Sequence, residues 1–132
     1  NFEYEEVRFL NDTLILVREE GVWSLLNIYS DEILLSDIIQ LDNKLDYGAF
    51  QQIKFRQASG YGLLDSRYGI FLPGDYNEIV ALNGSDESVY FFAERYLADS
   101  AFYIVLYINE KGEKIRSIAY RESEYDNILC EN

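Results

Sequence analysis

Short apolar runs separated by turn-forming residues recur along the whole chain. They are clearest in the stretch 61–82. Its apolar runs are Tyr61–Leu64, Ile70–Phe71 and Ile79–Leu82, and the residues between them are Ser66–Gly69 and Leu72–Asp75. Runs of this length, bounded by Gly, Pro, Asn, Asp and Ser, are typical of β-strands joined by tight turns. The pattern therefore predicts strand, turn, strand, turn, strand here.

The same pattern predicts strands on both sides of this stretch. They are Val7–Leu10, Thr13–Arg18, Val22–Leu26, Ile33–Leu35, Ile38–Leu41, Ala49–Arg56, Phe102–Asn109, Lys114–Tyr120 and Tyr125–Cys130. The polar segment Asp42–Gly48 is predicted to be a loop. Twelve Tyr and eight Phe support β-structure, because aromatic side chains suit a pleated, half-buried surface.

The segment Val89–Leu97 fits two structures. Its apolar residues match one face of a helix, but Tyr90, Phe92, Glu94 and Tyr96 also alternate as in a strand. Aromatic enrichment and the short break before the next strand favour the strand. One short helix near 87–97 remains the alternative.

An internal repeat organises the chain. Val22–Asn27 aligns with Gly60–Asp65, 38 residues later, and Leu106–Asn109 aligns with Gly62–Asp65 at an offset of 44. A single hairpin cannot bury its own apolar face, whereas stacked copies bury their faces together. The sequence therefore predicts an all-β fold of antiparallel meander or hairpin repeats. Residues 1–132 form one domain with three degenerate units, roughly 1–41, 42–82 and 83–132.

The repeated residues resemble the WG repeat of bacterial proteins, also called the KWG repeat. The central copy carries Tyr61, Gly62, Leu63, Leu64, Asp65, Pro73, Tyr76 and Ile79. A worn copy carries Trp23, Leu25, Leu26 and Asn27, with Ser24 where the family has Gly. Another carries Tyr107, Ile108, Asn109, Gly112, Tyr125, Asp126 and Ile128. The resemblance implies a β-rich repeat array without assigned catalysis and a binding or scaffold role.

The residues that most enzymes use are scarce. The chain has no histidine, so the commonest general base and metal ligand are missing. Its single cysteine, Cys130, has no histidine to activate it. No phosphate-binding loop or zinc-ligand spacing occurs. We therefore expect a protein that is not an enzyme, with no cofactor and no metal.

The net charge of −13 bears on the partner. An acidic field repels nucleic acid and attracts a basic protein. The first hypothesis is a protein-interaction or scaffold module. The alternative is a small acidic immunity or inhibitor protein that binds a basic nuclease or toxin. The longest apolar run, Ala101–Ile108, is too short to span a membrane. A cytoplasmic location is favoured over secretion, and a chain that begins at Asn1 without Met is expected to be processed or part of something longer.

Interface residues follow from composition and position. Tyrosine is enriched in protein contacts because it is large, rather rigid and polar at one end. The predicted contact residues are Tyr90, Tyr96, Tyr103, Tyr107, Glu19, Glu20, Asp86 and Glu87. Aromatic residues at equivalent repeat positions, such as Trp23 and Tyr61, are instead expected in the stacked core.

Overall fold

The computed structural model describes residues 4–83 and 89–125. Strands make up 65% of the structure and helix 4%, and the strands form three antiparallel sheets. The prediction of an all-β fold is therefore confirmed. The chain divides into two compact units, Asn1–Asp75 and Tyr76–Asn132, which are described in turn.

Unit 1 holds two sheets. Sheet A contains β1 (Glu6–Phe9), β2 (Leu14–Glu19), β3 (Val22–Asn27) and β4 (Ile33–Ile38) in sequence order. Sheet B contains β5 (Gln40–Leu41), β6 (Leu45–Asp46), β7 (Gln51–Gln57), β8 (Gly60–Asp65) and β9 (Gly69–Tyr76). Both β5 and β6 pair with β7, and β8 and β9 follow it. Each sheet is thus an up-and-down meander.

Sheets A and B share a hydrophobic core. The buried cluster takes Leu10, Leu16, Trp23, Leu25 and Ile38 from the part of the chain around sheet A, and Ile53, Phe55 and Leu64 from sheet B. Cross-strand partners lie on the same face of a sheet, so the rows Arg8–Leu16–Leu25–Leu35 and Glu6–Arg18–Trp23–Ile38 both belong to the face of sheet A that meets sheet B. Trp23 lies in this core, as expected.

Unit 2 contains sheet C. Its strands are β10 (Glu78–Asn83), β11 (Val89–Leu97), β12 (Phe102–Ile108) and β13 (Lys114–Arg121), again in sequence order. One short helix, α1 (residues 122–125), follows within the described ranges. Ile79, Phe91, Ala93, Leu106 and Ile108 are buried on one face of this sheet.

One predicted element is wrong, and a second is correct only in part. Leu72–Asp75 was expected to be a turn, but β9 continues through Pro73 and Gly74 to Tyr76. Because β9 is the last strand of sheet B, a proline without an N–H is tolerated there. Asp42–Gly48 is not purely a loop, since β6 lies within it. In both places strand pairing extends into a segment that the local sequence predicted to be irregular.

The ambiguous segment is resolved in favour of the strand. Val89–Leu97 forms β11, which pairs with β10 and β12, so the helical alternative is wrong. Of the predicted strand Tyr125–Cys130, Tyr125 lies in α1 and the remainder lies outside the described residues.

Candidate protein-interaction surfaces

The Asn or Asp that ends each repeat shapes a hairpin turn. The side-chain Oδ1 of Asn27 accepts hydrogen bonds from the backbone N–H groups of Tyr29 and Ser30. Asn109 Oδ1 accepts from those of Lys111 and Glu113, and Asp65 Oδ1 accepts from that of Arg67. A residue with positive φ follows each time: Asp31 (59°), Gly69 (83°) and Gly112 (84°). These repeat residues therefore set backbone geometry, as short polar side chains do in turns.

Asp65 is also the centre of a buried polar network. Its side chain is inaccessible to solvent and accepts hydrogen bonds from Gln52 Nε2 at 2.9 Å, Arg67 Nε at 3.0 Å and Arg67 Nη2 at 2.9 Å. The Arg67 guanidinium lies 3.5 Å from the ring centre of Phe50. Burial opposes ionisation of Asp65, but the hydrogen bonds from Arg67 and Gln52 outweigh it and hold its pKa below the ordinary value. The network stabilises the turn.

Sheet C carries aromatic side chains on the face opposite Phe91 and Ala93. Two rows of cross-strand neighbours define this aromatic face. They are Val80–Phe92–Tyr107–Arg116 and Tyr96–Tyr103–Tyr120. The rings of Phe92 and Tyr107 meet edge to face at 5.8 Å, and those of Tyr96 and Tyr103 lie 4.8 Å apart. The tyrosines of both rows are only partly buried.

Tyr125 of α1 covers the tyrosine row. Its ring centre lies 4.5 Å from that of Tyr103 and 5.4 Å from that of Tyr120. Its hydroxyl donates a hydrogen bond of 2.6 Å to Glu94 Oε2. Burial, together with this bond to Glu94, raises the pKa of Tyr125 above its ordinary value. Tyr125 therefore belongs to the packing of unit 2, while the Val80–Arg116 row is left more open.

A groove lies at the open end of the aromatic face. It has a volume of about 330 Å³ and is lined by Leu82, Tyr107, Ile115 and Arg116. Leu82 is 38% exposed and Ile115 is 56% exposed. A cavity of about 150 Å³ lined by aliphatic and aromatic side chains is large enough to hold benzene. The groove can therefore admit one aromatic ring.

Sheet A has a second apolar face, on the side away from sheet B, and several of its side chains are exposed. This outer face of sheet A consists of Val7, Phe9, Ile15, Val17, Leu26 and Ile33. Phe9 is 64% exposed, Ile33 is 62% exposed and Val7 is 45% exposed, although Val17 at its centre is buried. Scattered exposed apolar residues need no explanation, but a contiguous patch marks a contact surface.

The described contact residues that the sequence predicted belong to both units. Tyr96, Tyr103 and Tyr107 lie on the aromatic face, and the Tyr96 hydroxyl is 3.2 Å from Glu122 Oε2. Glu19 and Glu20 are exposed at the β2–β3 turn of unit 1. The backbone of Tyr90 lies in β11, while its side chain, like Asp86 and Glu87, falls outside what the structure describes.

Residues 4–83 and 89–125 contain no group of three or more Cys, Asp or Glu side chains arranged to hold a metal ion. Among the same residues, no helix is long and apolar enough to cross a membrane. Comparisons with family models, with curated proteins and with solved structures find no match for this chain.

The outer face of sheet A was missed in the sequence, although a signal was present. Leu14–Val17 is apolar at four successive positions, so this strand places apolar side chains on both of its faces. Val7 and Phe9 alternate with Glu6 and Arg8, which suggests that the apolar pair faces the core. In the structure it is Arg8 that lies over the buried Trp23 ring, at 4.9 Å, so Val7 and Phe9 point away from it.

Proposed function

We propose that this chain is a non-catalytic β-repeat module that binds another protein. The observation that carries the proposal is the open row Val80–Phe92–Tyr107–Arg116, continued by the groove beside Leu82. Aromatic and Arg side chains dominate the energetics of protein contacts, because they bury large areas and still make directional polar contacts. The aromatic face has this composition.

The internal repeat supports the same proposal. Three sheets carry the same Asn or Asp turn at the end of their third main strand, so the most regular polar residues serve the scaffold. Together with the resemblance to bacterial WG repeats, this favours a scaffold role for the repeat pattern. Binding is then carried by side chains outside the pattern.

Affinity capture from the native host tests the proposal. Val80→Glu places a charge on the aromatic face at a position that is 44% exposed. Tyr29→Glu is the matched control, because Tyr29 is 80% exposed in the β3–β4 turn of unit 1. We expect the wild type and Tyr29→Glu to retain the same partner and Val80→Glu to lose it. Equal capture by both variants, or capture of no protein by the wild type, would contradict the proposal.

A second function is favoured by the net charge of −13. Complementary charge speeds association with a basic protein, so an immunity or inhibitor role against a basic nuclease or toxin fits this composition. Salt separates the two functions. Screening weakens an attraction between opposite charges, so the association rate of an inhibitor complex should fall steeply as salt is added. Contact through the aromatic face should depend on salt far less.

A further inference from the structure

We infer that the groove beside Leu82 binds the carboxyl-terminal residue of a partner protein when that residue is apolar. Its side chain enters the groove, and its α-carboxylate pairs with the guanidinium of Arg116. The inference rests on the proposed function, because the groove belongs to the aromatic face. It goes further by naming the chemistry of the segment that the groove accepts.

A β-bulge builds this groove. Tyr107 pairs with Arg116, but the next residue of β12, Ile108, pairs with Lys114, so Ile115 has no cross-strand partner. Neighbouring residues of a regular strand point to opposite faces. A bulge changes the direction of a side chain, and here both Ile115 and Arg116 line the same groove. The groove therefore has an apolar wall and a cation at adjacent positions of one strand.

The apolar part of the groove suits one large side chain. The groove has a volume of about 330 Å³, and its lining residues besides Arg116 are Leu82, Tyr107 and Ile115. Ile115 is 56% exposed and Leu82 is 38% exposed. A partner side chain that covers them removes apolar surface from water, which favours binding. An anchor residue in such a pocket is typical of a binding hot spot.

Arg116 supplies the charge of the groove. It is exposed, and among the described residues its guanidinium has neither a carboxylate nor an aromatic ring as partner. The same strand also carries Lys114 and Arg121 and has no acidic residue. A guanidinium can bind a carboxylate through two parallel hydrogen bonds. Charge complementarity therefore favours an anionic group beside the apolar anchor.

The short separation of Ile115 and Arg116 favours a chain terminus. In an extended segment, neighbouring side chains point to opposite faces, and the residue two positions along lies about 6.6 Å away. An Asp or Glu next to the anchor residue would thus point away from Arg116. The α-carboxylate of a terminal residue is instead bonded to the same Cα as the anchor side chain. It can reach the guanidinium while that side chain fills the groove.

The net charge of −13 restricts the rest of the segment. A field of this sign repels a strongly acidic segment. A terminal carboxylate adds a single negative charge, which Arg116 offsets locally. The expected ligand is therefore an apolar carboxyl terminus that follows neutral or basic residues.

Fluorescence anisotropy with two labelled peptides tests the inference. Both have the sequence Gly-Ser-Lys-Ser-Phe with fluorescein at the amino terminus. One ends in a free carboxylate and the other in an amide. We expect the acid to bind about tenfold more tightly, because it gains hydrogen bonds between charged groups. Equal affinity, tighter binding of the amide, or no binding of either peptide overturns the inference.

The sign of this preference separates the groove from general electrostatic attraction. The amide carries one negative charge fewer than the acid. Attraction to a chain of net charge −13 would therefore favour the amide. A preference for the acid reports a local cationic contact instead.

Two variants identify the cation. Arg116→Gln should abolish the preference for the acid. Lys114→Gln is the matched control, because it removes the same charge from β13 at a residue that does not line the groove. It should retain the preference, and far-UV circular dichroism checks that both variants are folded. An equal preference in the two variants overturns the assignment to Arg116.

Two further ligands test the apolar anchor and the peptide. A free-acid peptide that ends in Gly in place of Phe should bind at least about tenfold more weakly, as loss of a hot-spot anchor does. 3-Phenylpropionate has the ring and the carboxylate but none of the preceding residues, and we expect it to displace the labelled acid about tenfold less effectively than unlabelled peptide does. Equal displacement would assign the groove to free aromatic carboxylates and overturn the inference.

The two proposals fail in different ways. Capture of a partner that depends on Val80, without a preference for the acid peptide, overturns the carboxylate site and leaves the proposed function standing. A preference for the acid peptide, with capture that Val80→Glu leaves unchanged, overturns the proposed function and leaves the carboxylate site standing.

Discussion

Replacing Asp65 by Asn tests whether the buried network holds unit 1 together. The substitution keeps the size and shape of the side chain and removes its charge. One oxygen remains to accept hydrogen bonds from Arg67, while the new NH₂ group replaces the oxygen that accepts from Gln52 Nε2 and Arg67 Nη2. Donors would then face donors in a site that solvent does not reach.

The expected loss is large for a single isosteric change. Each hydrogen bond to a charged group contributes about 1.5–3 kcal/mol, and leaving a buried charge without its partner costs about 3–5 kcal/mol. Because the Arg67 side chain is 28% exposed, water partly compensates its lost partner. We therefore expect Asp65→Asn to lower the free energy of unfolding of unit 1 by about 3 kcal/mol.

The fluorescence of Trp23 measures this loss directly. It is the only tryptophan of the chain and is buried in the core of unit 1. With a slope of about 1.5 kcal/mol per molar urea, a loss of about 3 kcal/mol lowers the urea midpoint by about 2 M. The matched control is Asn27→Asp at the equivalent turn, where both side chains can accept the two backbone hydrogen bonds. Its midpoint should stay close to that of the wild type.

The pH dependence of protein stability tests whether the charge of Asp65 is the cause of the loss. The pKa of Asp65 is depressed in the folded protein, so its stabilisation is fully present above the ordinary Asp value of about 3.9 and is lost as pH falls through the lower, folded value. The difference in urea midpoint between the wild type and Asp65→Asn should therefore become smaller at acidic pH. A midpoint shift no larger than that of Asn27→Asp, or a gap that does not change in acid, would refute the reasoning.

Three further outcomes follow from packing and ionisation. In Gly62→Ala the added methyl would contact the buried Phe55 ring and approach the Leu72 carbonyl oxygen to 2.7 Å. We expect overpacking to cost about 1–3 kcal/mol, and an unchanged urea midpoint would show that the sheet relaxes instead. In Tyr125→Phe the hydrogen bond to Glu94 is lost, so the free energy of unfolding of unit 2 should fall by about 1–3 kcal/mol, measured by circular dichroism in urea. An unchanged urea midpoint would contradict this. Because the pKa of Tyr125 is raised in the folded state, wild-type stability should fall as pH rises above about 10 and through the folded value. The stability of Tyr125→Phe should fall less over this pH range. An equal loss of stability in both proteins at alkaline pH would contradict this expectation.

Local patterns in the sequence were sufficient for the elements that depend on local chemistry. Alternating apolar runs predicted most strands, because a half-buried strand has a period of two. The repeat alignment picked out Asn27, Asp65 and Asn109, and each accepts backbone hydrogen bonds in a hairpin turn. The all-β class therefore followed from residues close together in the chain.

Contacts between side chains that are distant in the sequence could not be predicted in the same way. Pro73 and Gly74 look like a turn in isolation, but pairing with β8 extends them into β9. Asp65 looks like one turn residue among three, but only Asp65 meets Gln52, which is 13 positions away in sequence. Such pairs depend on the register of strands that are distant along the chain.

The sequence alone determined that the chain is a run of β-hairpins with repeated turns, since strand period and turn chemistry are local properties. The tertiary structure decided which apolar residues are left exposed. Val7 and Phe9 look like core residues beside Glu6 and Arg8, but Arg8 packs over Trp23 and turns the apolar pair outward. The exposure of a strand residue depends on which face of its sheet packs against the neighbouring sheet. For Val7 and Phe9, only the packing of sheet A on sheet B determines this face.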